Sequence, residues 1–228
     1  MLYFDPLYFV YMLPGLIIAL IAQAKVKSSF NKYSQVMNLR GITGAQAAER
    51  ILSVNGISNV QVMRVSGSLT DHYNPKDNTV YLSDSVYNST SIAAIGVAAH
   101  EVGHALQYAF GYSPIKFRMA LVPICNFGAG VSPFLIVLGY VLSMPVLLYA
   151  AIFVFSLSVL FQLVTLPVEF NASRRAIAAI GDYDLLGDDE IKGAKKVLSA
   201  AAMTYVAALL QSFLVLLYYI ARFGNRRR

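Results

Sequence analysis

Long apolar runs alternate along the chain with two mixed sections. LYFVYMLPGLIIALIAQA (7–24) is about long enough to cross a bilayer, and Pro14 is tolerable within a membrane helix. MALVPICNFGAGVSPFLIVLGYVLSM (119–144) and PVLLYAAIFVFSLSVLFQLVTLP (145–167) predict a tight helical hairpin over 119–167, with Pro123 and Pro133 bending its first arm. AAMTYVAALLQSFLVLLYYIA (201–221) is a fourth span or a re-entrant helix. In the mixed section, 35–118, Thr43 can cap a short helix through TGAQAAERILSV, and Asn55-Gly56 can end it. NVQVMRVS (59–66) and NTVYLS (78–83) alternate like short strands and suggest a small hairpin sheet. NSTSIAAIGVAAHEVGHALQYAFG (88–111) then reads as a long helix with Ser89 to Ser91 as caps and Gly111 with Pro114 as its stop. Pro167 is expected to start a new helix with Glu169 in its first turn, and Asp188 or Asp189 to cap the last helix. The fold class is therefore mainly α: a single multi-pass membrane domain of three to four transmembrane helices with a small α+β region.

Composition agrees, with 57% hydrophobic and 13% charged residues and a mean hydropathy of +0.57. The net charge of +6 comes from basic groups at 25–32, 174–175, 195–196 and 226–228, mostly beside apolar runs. Such placement orients a chain against a membrane and does not suggest nucleic-acid binding. Lysines follow the first apolar run instead of preceding it, which argues against a cleaved signal peptide. The positive-inside rule puts the amino terminus outside and Lys25, Lys27 and Lys32 on the cytoplasmic side. Four spans would put Arg222 and Arg226 to Arg228 outside, so either the last segment is re-entrant or half-buried, or the inner loops outweigh those arginines. The single cysteine, Cys125, permits no intramolecular disulfide and reads as a buried free thiol.

Two of the three histidines stand in HEVGH, residues 100–104, within the helix expected over 88–111. On an α-helix His100 and His104 are one turn apart and share a face, so both imidazoles can reach one ion. Glu101 projects about 100° round the helix, toward the same cleft. This is the H-E-x-x-H zinc arrangement, which needs a third protein ligand and an open position for water. No third histidine follows at metzincin spacing, so a carboxylate is required. Of Glu169, Asp182, Asp184, Asp188, Asp189 and Glu190, the returning hairpin favours Glu169, while the 182–190 cluster reads as a solvated helix start. Glu101 is the expected general base. His72, Tyr73 and Arg174 are candidates to stabilise an oxyanion, with His72 preceding a strand, NTVYLS, expected at the sheet edge beside an extended substrate. Asn171, Ser173 and Arg174 lie close enough along the chain to support the ligands by hydrogen bonding.

YFDP (3–6), LTDHYNPKDNTVYLSDSVYNSTSIAAIGVAAHEVGHALQ (69–107), VEFNASRRA (168–176) and AAMTYVAA (201–208) resemble the bacterial membrane-bound neutral zinc metallopeptidase family. The plan is also similar to the HtpX-like and CAAX-prenyl (Ste24-like) membrane metalloproteases, which share H-E-x-x-H, a two-helix membrane insertion and a later E-x-x-A-[DNS]. The resemblance implies Zn2+ as cofactor, Glu169 as its third ligand, and a protein or peptide substrate. Asn74 departs from the aspartate usual in the DHYNP stretch. The implied function is a zinc-dependent endopeptidase acting on membrane-associated or unfolded proteins from the cytoplasmic side, in contact with lipid and open to a protein partner or homo-oligomer. The rival reading is a non-cleaving zinc-containing membrane scaffold or chaperone-like protein. Glu101 speaks against it, because a binding site has no use for a carboxylate beside the water. A metal transporter would place its ligands at mid-bilayer.

Overall fold

A computed structural model describes residues 5–224, so Arg226, Arg227 and Arg228 lie outside the described residues. Nine elements follow in order: α1 (Pro6–Ser34), α2 (Gly44–Val54), β1 (Gln61–Val65), β2 (His72–Asn74), β3 (Thr79–Ser83), α3 (Ile92–Ala109), α4 (Ser113–Val141), α5 (Pro145–Asp182) and α6 (Asp188–Phe223). Four of them, α1, α4, α5 and α6, are long and apolar enough to cross a membrane. Two compact units emerge, one of Met1–Ala22, Lys116–Pro167 and Thr204–Arg228, the other of Gln23–Ile115 and Val168–Met203.

The first unit is built from the apolar runs. Several of its polar groups bond between distant segments of the chain: Ser132 donates to the Ala151 carbonyl at 3.1 Å, and Asp5 accepts from Tyr218 at 3.1 Å and pairs with Arg222 at 3.0 Å. The arms of α4 and α5 turn at 142–144, with Ser143 in the left-handed region at φ 53°.

The second unit holds a conventional core. Thr43 caps α2 and Gln46 closes the reciprocal capping box, while Asn55 ends the helix and Gly56 takes φ +68°. Ser91 caps α3 through a 3.2 Å bond from the Ala94 N–H. Ile51, Leu82, Ile95, Val102, Ile180 and Leu185 are fully buried together between α2, α3, the sheet and the end of α5.

Three expectations need correction. The sheet has the order β1-β3-β2, with β1 and β3 parallel, and the antiparallel pair is β2 with β3. NTVYLS is thus the central strand and not an edge, and His72 opens a strand of its own, β2, beside it. A three-residue strand is too short to show alternation, so its pairing was hidden between two plainer strands. Pro167 starts no helix either. α5 passes through it unbroken, because inside a membrane-length helix a proline removes one backbone hydrogen bond without ending the apolar period, and Glu169 stands mid-helix, away from any terminal dipole. α6 is likewise continuous from Asp188 to Phe223, which leaves no re-entrant turn.

Candidate metal centre

His100, Glu101 and His104 sit on α3, and Glu169 sits on the segment of α5 that follows its apolar run. The helices approach closely at one glycine: a Cβ at Gly103 would lie 2.7 Å from the Ala172 carbonyl oxygen, inside van der Waals contact. That approach lets the Nε2 atoms of His100 and His104 stand 3.3 and 3.5 Å from the same Glu169 Oε2. One donor atom from each residue lies within 4.8 Å of the others, and all three side chains are largely buried. Among the described residues this is the only such group of three.

The far side of each ring is occupied. Ser173 Oγ lies 3.1 Å from His100 Nδ1. His104 Nδ1 lies 3.0 Å from Gln107 Oε1, and here the protonation can be read from the network. Arg175 Nε can only donate, and it donates to Asn171 Oδ1 at 2.8 Å. The same oxygen therefore accepts from Gln107 Nε2 at 3.0 Å, as the Val168 carbonyl does at 2.8 Å. Gln107 is left with its oxygen toward His104, so Nδ1 carries a proton, and Nε2 either donates a second proton to Glu169 or, when the ring is neutral, offers its lone pair to an ion. A chain of four polar side chains thus sets the tautomer that a metal requires.

The electrostatics favour a cation at the point of convergence. Burial by itself lowers the pKa of His104, but its hydrogen bond to Glu169, the charge of Glu169 and then that of Glu101 outweigh burial and leave it above the usual imidazole value. Burial likewise opposes ionisation of Glu169, which lies beyond the apolar run, yet its hydrogen bonds with His100 and His104 hold the carboxyl well below the usual range. Two imidazole nitrogens and a carboxylate oxygen are the donor set that zinc takes when a fourth position stays open, so the residues fit the ion.

Glu101 is partly exposed, and its Oε2 accepts the Tyr73 N–H from β2 at 3.1 Å. The other residues expected at the site are placed differently. His72 is exposed, stacks on Tyr81 with centroids 4.9 Å apart, and bonds through Nδ1 to the Thr70 carbonyl at 2.9 Å. It is not part of the three-residue group. Arg174 is exposed, and it is Arg175 that reaches the network. Asp184 pairs with Arg40, Asp189 with Lys192 at 2.7 Å, and Glu190 accepts backbone N–H groups of Leu39 and Gly187. Gln107 and Arg175 escaped the sequence reading. The signal for Gln107 was present: an amide three residues past His104 on an apolar helix needs a buried partner.

Four candidate spans accompany a buried His-His-Glu group whose histidines stand on an H-E-x-x-H helix and whose glutamate stands on α5, the ligand plan of a zinc metallopeptidase. The chain belongs to the family described as "Putative neutral zinc metallopeptidase", whose model matches residues 8–224. It is 50% identical over 206 residues to "Putative membrane protease YugP" of Bacillus subtilis (strain 168), covering 90% of this chain and 92% of that protein. No solved structure matches the chain.

Proposed function

We propose that the protein is a zinc-dependent endopeptidase of the bacterial inner membrane, working on its cytoplasmic side on membrane-associated or unfolded proteins. His100, His104 and Glu169 would hold the ion. When bound, zinc acts as a Lewis acid and brings the pKa of a coordinated water toward 7. Glu101 takes the proton from the attacking water and returns it to the leaving amine. Its Oε2 is tied to the Tyr73 N–H, so β2 fixes the carboxylate while Oε1 remains for the water. Gln107, through Asn171 and Arg175, keeps His104 in the metal-ready tautomer, and Ser173 orients His100. His72 has Nδ1 committed to Thr70, so it can donate to a developing oxyanion only from Nε2 of its protonated form.

The observation that carries the reading is the convergence of both Nε2 atoms on one Glu169 oxygen, with Glu101 on the same helical turn. Glu101→Gln is expected to keep stoichiometric zinc while cleavage of a denatured protein falls about a hundredfold to ten-thousandfold, the usual contribution of a general base. Elemental analysis beside a cleavage assay checks both, and undiminished cleavage with zinc in place rules the mechanism out.

A further inference from the structure

A second polar feature lies away from the metal centre, in a groove of about 690 Å³ between the end of α1 and the start of α6. Lys25 and Lys32 line it from α1 with Ser28 and Ser29 between them, and Lys192, Lys195 and Lys196 line it from α6. The spacings i, i+3, i+4 and i+7 on each helix place these side chains on one face, so two basic stripes oppose each other. At the floor the helices touch where Gly193 meets the Tyr33 ring, since a Cβ there would lie 2.8 Å from it. Asp189 offsets one charge by pairing with Lys192 at 2.7 Å, and Lys32 lies over Tyr33 at 5.6 Å. Among the described residues, Lys25, Lys195 and Lys196 have no carboxylate partner. Like charges four apart on a helix, as at Lys192 and Lys196, repel, and an anion in the groove would offset that repulsion.

Both helices continue into candidate spans. Lys25 follows the first apolar run directly, and Lys195 and Lys196 precede the last by a few residues. At 1.5 Å per residue, Lys25, Lys32, Lys195 and Lys196 all fall within about 12 Å, along the helix axes, of an apolar run. Negatively charged headgroups occur at that depth, and clustered lysines attract them. We propose that this groove binds the phosphate-bearing headgroup of an anionic glycerophospholipid, with the ammonium groups meeting the phosphodiester and Ser28, Ser29 and Ser199 donating hydrogen bonds to it. The site is separate from the metal centre and does not depend on the peptidase reading.

The test is native mass spectrometry of the full chain released from detergent with phosphatidylglycerol or with phosphatidylcholine of the same acyl chains. Wild-type protein is expected to retain phosphatidylglycerol at least about tenfold over phosphatidylcholine, given the attraction of several lysines. The variant Lys25→Gln, Lys32→Gln, Lys195→Gln, Lys196→Gln loses that preference, while Lys27→Gln, exposed on the same helix but outside the groove, keeps it. If the fourfold variant does not purify, Lys195→Gln with Lys196→Gln, both exposed, is expected to show at least half of the loss on a logarithmic scale. No preference in the wild type, an unchanged preference in the groove variants, or an equal loss in Lys27→Gln overturns the proposal. Inorganic phosphate added as competitor distinguishes the source: if it binds the lipid-free protein and displaces the lipid, the groove holds free phosphate and the lipid assignment fails.

Discussion

α3 and α4 are both apolar helices separated by only three residues, yet they are built for different surroundings. α3 buries 13 of its 18 residues inside protein, nearly all of them alanine, glycine or aliphatic. α4 leaves Phe127, Phe134 and Val141 more than 70% exposed along a candidate span. A helix face buried in protein can carry polar groups provided that each finds a partner, whereas a face that lipid must solvate offers a polar group none. The small residues of α3 and its four polar side chains at the site, His100, Glu101, His104 and Gln107, therefore belong together. Alanine and glycine bring α5 near enough for Glu169 to reach the histidines.

Gly103→Ala breaks this arrangement most directly. The added methyl meets a backbone carbonyl, which cannot swing aside, so α3 and α5 must separate. The expected cost is about 2–3 kcal/mol of stability, typical of overpacking, accompanied by loss of bound zinc because His100 and His104 move away from Glu169. Thermal unfolding with zinc analysis measures both, and a variant of unchanged stability and metal content would show that the helices do not depend on the glycine. Gln107→Leu is next. It leaves the Nδ1–H of His104 and the Val168 carbonyl without the amide between them, and zinc affinity is expected to fall about tenfold to hundredfold with the fold intact. Gln107→Glu keeps an acceptor for Nδ1–H and is expected to recover part of that loss in a chelator competition titration.

Much of this was readable from the residues, and the exceptions share causes. Thr43, Asn55-Gly56 and Ser91 announced helix ends because capping is local chemistry, decided within four residues. HEVGH implied a shared face because helix geometry alone sets it. Glu169 was reachable by following the hairpin back, although the helix start expected at Pro167 is absent, since local proline chemistry yields where a long helix continues across it. The parallel pairing of β1 with β3 depends on a strand of three residues, below the length at which a pattern exists. The link from Arg175 to His104 joins residues 71 positions apart and has no linear signature beyond the presence of a buried amide. Local signals thus located the elements, and what they missed was pairing between them.

The smallest effect sharpens the contrast from the lipid side. Phe134 on α4 is 71% exposed, so Phe134→Ala removes a ring that packs little against the protein. An aromatic truncated in a packed core costs about 3–5 kcal/mol, whereas one facing its solvent changes little, so the expected shift is within about 0.5 kcal/mol in detergent. Zinc content is expected to stay at the wild-type level, because the metal ligands belong to a unit with its own core. Thermal unfolding in detergent micelles reads this shift. A loss of several kcal/mol would mean that another protein surface, and not lipid, covers this face of α4, and the distinction drawn between the two helices would then apply only to α3.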